Sequence, residues 1–389
     1  MATEARRPLR KPTWKRRLAA LALGCVAAFV CLEAFVRLYP PFELRVRGSR
    51  LQLAVNCRRT LRNDTIAKLD REIGHATNSL GFRGSDPPAD FAGRPTIVAV
   101  GGSTTECRYL DDKKTWPARL NERLKADFPE VWVNNAGLDG HSTRGHQMLL
   151  EQLVGSLKPK LVLYLVGLND MGLGDDTAGA TADDQQLLRQ PREGDSWYRR
   201  VYLGLIDHSA ACALADNLRR HLAARRVGLT HGNVDHVQLR LDAAAGFEMN
   251  DPRRRQLVDR HRRQFVPGYE ARLRELILAT RAYGSEPVLI TQPALYGDAI
   301  DDETGVDLAR VKVGDADGLT QWQVLETYND ATRRVGRELD VLVIDLARRL
   351  TKTSRYYYDY HHFTNAGAEA VAELVRERLT GKCKMRNAK

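Results

Sequence analysis

The chain has 389 residues, of which 43% are hydrophobic and 28% charged. This composition excludes a collagen, a coiled coil, a long disordered chain and a polytopic membrane protein. The length predicts either two ordinary domains or one large α/β domain with an insertion. The net charge is +11, but most of the excess lies in residues 1–17, with seven Lys or Arg, and residues 251–263, with six Arg. We therefore expect no nucleic-acid partner.

The N-terminal end has the pattern of a membrane-targeting segment. A basic tail over residues 1–17 is followed by fifteen uncharged residues, Leu18–Leu32. A helix over residues 18–39 would reach roughly 33 Å, enough to cross a hydrocarbon core of about 30 Å. The basic flank predicts a single-pass signal anchor with a cytoplasmic N-terminus and a periplasmic or extracellular remainder. A cleaved signal peptide is the alternative, although no small-x-small cleavage site closes the apolar run.

The cysteines predict neither a disulfide scaffold nor a zinc site. Two of the six, Cys25 and Cys31, lie inside the apolar run. The soluble part holds the other four, which are Cys57, Cys107, Cys212 and Cys383. An exported compartment permits a disulfide, but the spacing does not determine a pairing and matches no zinc motif.

Five short apolar runs bounded by turn residues predict β-strands. They are Thr96–Val100, Val131–Asn134, Leu161–Val166, Pro287–Thr291 and Val341–Ile344. Continuous apolar runs are typical of strands that are covered on both faces, and several of the intervening segments have helical periodicity. The alternation predicts a doubly wound parallel sheet, preceded by a linker and lead-in segment over residues 40–95.

The spacing between the third and fourth predicted strands is roughly 120 residues, whereas a crossover needs only a dozen or more. We therefore predict an insertion at about residues 172–284. It contains a polar stretch, Gly172–Asp195, and helical candidates at Ala210–Arg226, Arg253–Phe265 and Tyr269–Tyr283. Its Arg-rich part predicts a solvated helix surface, with a surface for an acidic polymer or lipid headgroups as the alternative.

Ligands of open α/β sheets bind beyond the carboxyl ends of the strands, so the residues there are candidates for chemistry. The first strand is followed by a small-residue turn with Ser103, the second by a glycine-containing loop with Gly140, and the third by Asn169. Near the C-terminus, Asp359 precedes His362 by three residues. That spacing lets a carboxylate bind the imidazole and fix the tautomer that a general base needs.

Taken together and in this order, these four blocks resemble those of the SGNH hydrolases, also called the GDSL esterase/lipase family, in its membrane-anchored bacterial type. The resemblance covers roughly residues 75–170 and 286–380, and it includes a lead-in over residues 78–84. It implies a flavodoxin-like three-layer α/β/α sandwich of SGNH type, with the hydrolase domain over residues 96–381. One departure is Gly102, where the family usually has Asp.

The resemblance also implies roles for individual residues. Ser103 would be the nucleophile, His362 the base and Asp359 its partner. The oxyanion hole would consist of the backbone N–H groups of Ser103 and Gly140 and the side-chain amide of Asn169. The spacing from Asp359 favours His362 over its neighbour as the base. No metal and no organic cofactor is expected.

Side chains near these blocks have simpler expected roles. His141 and His146 are expected to be solvated or to support the site, and His361 is expected to be a loop or surface histidine. Glu106 and Asp170 are expected to form local hydrogen bonds. Trp116 and Trp132 are expected in the core.

We expect ester hydrolysis through an acyl-enzyme, and the location favours removal of O-acetyl groups from an envelope or secreted polysaccharide. Transfer of an acyl group to a polysaccharide, or a lipase or thioesterase activity, are alternatives with the same residues. A catalytically inactive envelope binding module is the alternative outside enzymes. It is disfavoured because Ser103, Asn169, Asp359 and His362 are all present.

Overall fold

A computed structural model describes residues 13–39, 46–47, 50–174, 196–226 and 238–381. The basic residues before position 13, most of the predicted polar stretch Gly172–Asp195 and Cys383 lie outside these ranges. The chain divides into two units. The smaller unit consists of Met1–Gly48 and Pro191–Leu229, and the larger of Ser49–Gln190 and Thr230–Lys389.

The larger unit is built on a five-stranded parallel sheet. Its strands are β1 Thr96–Gly101, β2 Trp132–Asn135, β3 Leu161–Val166, β4 Glu286–Thr291 and β5 Leu342–Ile344. They lie in the order β2-β1-β3-β4-β5, and all neighbours are parallel. This is the flavodoxin-like order, whose switch point lies between β1 and β3. The five predicted strands are confirmed to within one residue at each end.

The numbered helices lie before, between and after these strands along the chain. They are α1 Trp14–Leu38, α2 Ser103–Glu106, α3 Trp116–Leu124, α4 Thr143–Leu149, α5 Trp197–His208, α6 Ala210–Arg226, α7 Asp251–Arg260, α8 Val266–Ala282, α9 Gly318–Glu338 and α10 Asn365–Gly381. Short helical turns occur at Phe91–Gly93, Asp112–Lys114, Leu150–Val154, Gly155–Leu157, Leu168–Asp170, Leu241–Ala244, His261–Phe265, Leu308–Arg310 and Leu346–Arg349. Two-residue and five-residue strands outside the main sheet are Val46–Arg47, Arg50–Leu51, Arg58–Arg62, Glu72–Ala76, Lys312–Val313 and Ala316–Asp317.

The sheet is covered by helices on both faces, because successive side chains of a strand point to opposite sides. On β3, Leu163 packs in a core with Leu120 of α3 and Val371 of α10. The next residue, Tyr164, lies in a second core with Leu276 of α8. Two separate cores on one sheet explain why β3 is apolar at every position, and they form the predicted three layers. Trp116 and Trp132 are buried in these cores, as predicted.

The segment between β3 and β4 contributes to both units. The predicted helix Ala210–Arg226 is α6 of the smaller unit, whereas α7 and α8 belong to the larger one. The two other predicted helices are joined by a π turn, His261–Phe265, and Pro267 lies in the first turn of α8, where its missing N–H costs no hydrogen bond. The arginines of this region are mostly exposed, which agrees with a solvated surface.

The smaller unit contains α1, a helix of 25 residues that is long and apolar enough to cross a membrane. A signal sequence near an N-terminus meets the same criterion. The large apolar side chains of α1, among them Leu23 and Phe29, are exposed. A helix with this surface needs an apolar environment around it.

Candidate active site

Three predicted residues meet at the carboxyl edge of the sheet. Ser103 is the first residue of α2, directly after β1, and its Oγ lies 2.7 Å from Nε2 of His362. The other ring nitrogen, Nδ1, lies 2.6 Å from Oδ2 of Asp359. Oδ1 of Asp359 accepts the backbone N–H groups of His361 and His362, each at 2.8 Å. These backbone bonds fix the carboxylate, which in turn fixes the orientation of the imidazole.

The electrostatics of the pair favour a protonated His362. Burial alone would lower the pKa of this imidazole, but the adjacent Asp359 carboxylate outweighs burial and raises it above the ordinary value. Burial would conversely raise the pKa of Asp359, but His362 and the hydrogen bonds to it hold that pKa well below its usual range. The carboxylate therefore stays ionised while the imidazole gains and loses a proton.

The structure separates the two adjacent histidines. The imidazole of His361 points to Tyr296, with 3.1 Å between Nε2 and Oη. Burial lowers the pKa of His361 to about 4, although Asp359 opposes this shift. His361 is thus a half-buried neutral side chain on the far side of Asp359, and His362 is the one beside Ser103.

Asn169 lies against the turn that carries Ser103. Its Nδ2 donates to the backbone oxygen of His141 at 3.0 Å, so one of the two amide hydrogens is oriented by the loop after β2. A Cβ added at Gly102 would lie 2.4 Å from this Nδ2 and 3.3 Å from the His141 oxygen. In this chain the Asn169 amide thus occupies the space that a side chain at position 102 would need.

The loop after β2 packs directly against the backbone of α2. A Cβ at Gly137 would lie 2.3 Å from the backbone nitrogen of Glu106, so no other residue fits there without a shift of the chain. The buried carboxylate of Glu106 accepts the backbone N–H of Asp139 at 2.7 Å. Gly140, the next residue, has φ of +78°, a conformation that favours glycine. These contacts hold the loop that contains Gly140 against the end of α2.

A buried polar cluster joins the loop after β3 to α4. Asp170 accepts the backbone N–H and the hydroxyl of Thr143, the latter at 2.6 Å. Arg272 of α8 donates to the same hydroxyl at 3.0 Å and lies 3.4 Å from Asp170. Burial raises the pKa of Asp170, while Arg272 opposes the shift. The expected local hydrogen bonding of Glu106 and Asp170 is therefore observed.

For His141 and His146 the structure excludes one of the two expected alternatives, a solvated side chain. His141 and His146 are buried, with 7% and 1% of their surfaces exposed, so neither is solvated. Burial lowers the pKa of His146 to about 3. Among the residues that the structure describes, no three His, Cys, Asp or Glu side chains converge in a way that could hold a metal ion.

Arg83 is a supporting residue that sequence reasoning missed. Its guanidinium is buried and donates to the backbone oxygens of Glu106 and Cys107, at 2.7 and 2.8 Å, and to that of Leu110 at 2.8 Å. It also pairs with Asp112 at 2.8 Å. The carbonyls at the end of a helix have no intrahelical partner, and Arg83 supplies one for α2. The lead-in over residues 78–84 was the available signal, since it contains this arginine.

Tyr358 and Gln292 were also missed. The ring of Tyr358 stacks on that of His362, with centroids 5.5 Å apart and planes 11° apart. Gln292, directly after β4, accepts the hydroxyl of Thr104 at 3.1 Å and thereby joins the next strand end to α2. Neither residue belongs to a local pattern, so only the fold brings them to the site.

The sheet order and the side chains at its carboxyl edge put the chain among α/β proteins of the SGNH hydrolase class. The sequence model of the GDSL-like lipase/acylhydrolase family matches residues 99–370, which is more than half of the chain. The protein belongs to this family of ester hydrolases.

The chain is similar to a curated protein and to solved structures. Esterase TesA of Pseudomonas aeruginosa is 33% identical over 79 residues, which are 20% of this chain and 39% of that protein. The chain thus matches less than half the length of this curated relative. Among solved structures, an acetylxylan esterase from Geobacillus stearothermophilus has 14% identity and a TM-score of 0.40 over 73% of this chain and 94% of its own. A second, the acetyl xylan esterase AlAXEase, has 14% identity and a TM-score of 0.38 over 72% and 97%.

Removal of Arg83 should destabilise the larger unit. Arg83→Met removes a charged donor from three carbonyls and leaves Asp112 without its ion pair, so we expect a loss of about 3 kcal/mol or more in the free energy of unfolding. Chemical denaturation of the purified protein measures the change. Arg58→Met, at an exposed position, is the control and should stay within about 0.5 kcal/mol. Equal stability of both variants would contradict the role of Arg83.

A side chain at position 102 should displace Asn169. Because Asn169 is a predicted oxyanion donor, Gly102→Ala should lower kcat, by up to the ~10²–10³-fold expected for Asn169→Ala, with a much smaller change in KM. Steady-state ester hydrolysis measures both constants. The control is Gly93→Ala, where a Cβ meets nothing within 4 Å. An unchanged kcat in Asn169→Ala would exclude this amide from the oxyanion hole.

Proposed function

We propose that this protein is a membrane-anchored serine esterase that acts through an acyl-enzyme. Residues 1–17 would be the cytoplasmic tail and residues 18–39 the anchor. A linker over residues 40–95 would lead to the hydrolase domain, residues 96–381, in the periplasm or outside the cell. The observation that carries the proposal is the chain of two hydrogen bonds, 2.7 and 2.6 Å long, from Ser103 through His362 to Asp359.

The geometry accounts for each step of ester cleavage. Because Asp359 accepts the proton on Nδ1, the unprotonated nitrogen of neutral His362 is Nε2, which lies beside the hydroxyl. Ser103 Oγ attacks the ester carbonyl carbon as its proton passes to Nε2, and the carbonyl π electrons move to the oxygen. When the tetrahedral intermediate collapses, His362 gives this proton to the departing alcohol. Water repeats the sequence and releases the acid and the free serine.

The developing oxyanion needs donors that are already in position. The backbone N–H groups of Ser103 and Gly140 and the second amide hydrogen of Asn169 are the proposed donors. The bond from Asn169 to the His141 oxygen holds the amide before the substrate arrives, so no reorganisation is needed during the reaction. All three donors are uncharged, which suits a carbonyl of any acyl ester.

The proposed substrate class is an O-acetylated polysaccharide of the cell envelope or a secreted one. The support for it is the predicted location outside the cytoplasm, where such polymers are found. A partly exposed Ser103 beside a partly exposed His362 is also compatible with a substrate that is too large to enter an enclosed cavity.

Replacement of the nucleophile tests the activity. Ser103→Ala should lower the hydrolysis of p-nitrophenyl acetate, and the release of acetate from an O-acetylated polysaccharide, by at least about 10⁴-fold. Ser156→Ala replaces an exposed serine and should leave both rates unchanged. Substantial activity in Ser103→Ala would contradict the mechanism. Suppose that Ser103→Ala loses p-nitrophenyl acetate hydrolysis, but the native protein releases no acetate from the polysaccharide. That outcome would contradict only the proposed substrate.

The pH dependence follows from the raised pKa of His362. The base is active only when neutral, so kcat/KM should fall as the pH decreases through an apparent pKa above 6.5, the ordinary value. In Asp359→Asn the carboxylate that raises this pKa is gone and burial dominates. The falling limb should then move to lower pH, and the maximal rate should drop by about 10³–10⁴-fold. A falling limb with an apparent pKa below 6.5 in the native protein would contradict the coupling between Asp359 and His362.

A further inference from the structure

The two charged residues of α1 that follow its basic first turn, Glu33 and Arg37, both have partners. Glu33 accepts a hydrogen bond from Nε of Arg37, one turn further along, at 2.7 Å. Arg37 also donates, through Nη2, to the backbone oxygen of His208 at 2.8 Å. A charge in a membrane-spanning helix is costly unless it is paired, so these contacts remove the main objection to α1 as an anchor.

The partner of Glu33 is the start of α6. The carboxylate accepts the backbone N–H groups of Ala210 and Ala211, each at 2.9 Å, and the hydroxyl of Ser209 at 2.8 Å. The first N–H groups of a helix have no partner within the helix, and a negative charge there is favourable. Glu33 therefore serves as the N-terminal cap of a helix that lies 177 residues away in the sequence.

Helix geometry gives the depth of this contact in the bilayer. Glu33 lies fifteen residues beyond Leu18, or about 22 Å at ~1.5 Å per residue. In a hydrocarbon core of about 30 Å, counted from the basic flank, this is close to the opposite boundary. The turn between α5 and α6 is thus attached to α1 near the interface on the non-cytoplasmic side.

Helix α5 has one buried and one exposed apolar face. Leu203 and Ile206 are buried. The exposed face holds Trp197, which is 77% exposed, and Tyr198, which is 66% exposed, followed at helical spacing by Val201, Tyr202 and Leu205. Exposed apolar patches of this kind mark interaction sites. Trp and Tyr are the residues enriched where hydrocarbon meets lipid headgroups.

We propose that α5 and α6 form a membrane-interface hairpin, held to the outer end of α1 by Glu33 and Arg37, with the aromatic face of α5 lying on the bilayer. The hairpin proposal rests on the proposed anchor. It also extends the anchor proposal, because a helix that caps α6 has to remain in the mature protein. Lipid is the occupant that the location favours, since the face belongs to the same unit as the exposed apolar surface of α1.

Fluorescence quenching by brominated lipid tests the position of Trp197. The full chain is reconstituted into phosphatidylcholine vesicles that carry bromine near the headgroup end of one acyl chain. The difference in emission between the native protein and Trp197→Phe isolates one of the five tryptophans. We expect about half or more of this difference to be quenched, as for a ring at the interface. The matched control, Trp322→Phe, removes a tryptophan of the larger unit, whose emission should not be quenched.

Alkaline extraction of the same vesicles separates the two proposals. Protein that leaves the vesicles at alkaline pH contradicts the anchor. Protein that stays, but whose Trp197 emission is not quenched, contradicts the hairpin and leaves the anchor standing. Protein that stays with quenched emission supports both.

The cap by Glu33 has its own test. Glu33→Leu makes α1 more apolar, so insertion should persist, but α6 loses its N-terminal acceptor. Tryptic cleavage at Arg219 of α6 in intact vesicles should then become at least about fivefold faster, as expected for the loss of one helix cap. Glu130→Leu, at an exposed site of the larger unit, should leave the rate unchanged. Equal cleavage of Glu33→Leu and the native protein would overturn the attachment.

Discussion

The hydrogen bond between Ser103 and His362 joins two segments that are 259 residues apart in the sequence. It forms only if β1 ends at the right point, if α2 begins there, and if the loop before α10 reaches the same edge of the sheet. Much of the larger unit serves this requirement. Two helix layers hold the strands in register, Arg83 holds the end of α2, and Asp359 holds the imidazole.

The site is assembled by close contacts between backbone segments. Gly102 leaves room for the Asn169 amide, and Gly137 lets the loop after β2 touch α2. Buried carboxylates on neighbouring loops, Glu106 and Asp170, then accept backbone N–H groups. Because each loop is tied to another, the proposed oxyanion donors are held before substrate binds, as electrostatic preorganisation requires.

The strands were predictable from the sequence because burial on both faces leaves a continuous apolar run, as in Leu161–Val166. The four blocks around Ser103, Gly140, Asn169 and His362 were predictable because each directly follows a strand or precedes α10. The roles of Arg83 and Tyr358 were not, since a guanidinium that binds three carbonyls, or a ring that stacks on an imidazole, leaves no periodic signal. The contact of Glu33 with α6 was hidden for the same reason: it joins residues far apart in the chain. For His141 and His146 the sequence left two alternatives open, solvated or supporting the site, and the structure excludes the solvated one because both side chains are buried.

The central claim is that Ser103 is an activated nucleophile, and covalent labelling tests it without knowledge of the substrate. The detergent-solubilised full chain is treated with a fluorophosphonate, and the adduct is mapped by mass spectrometry, with Ser103→Ala as the control. The account predicts one adduct, on Ser103, that is absent from the variant. A folded protein that gives no adduct on Ser103 would contradict it.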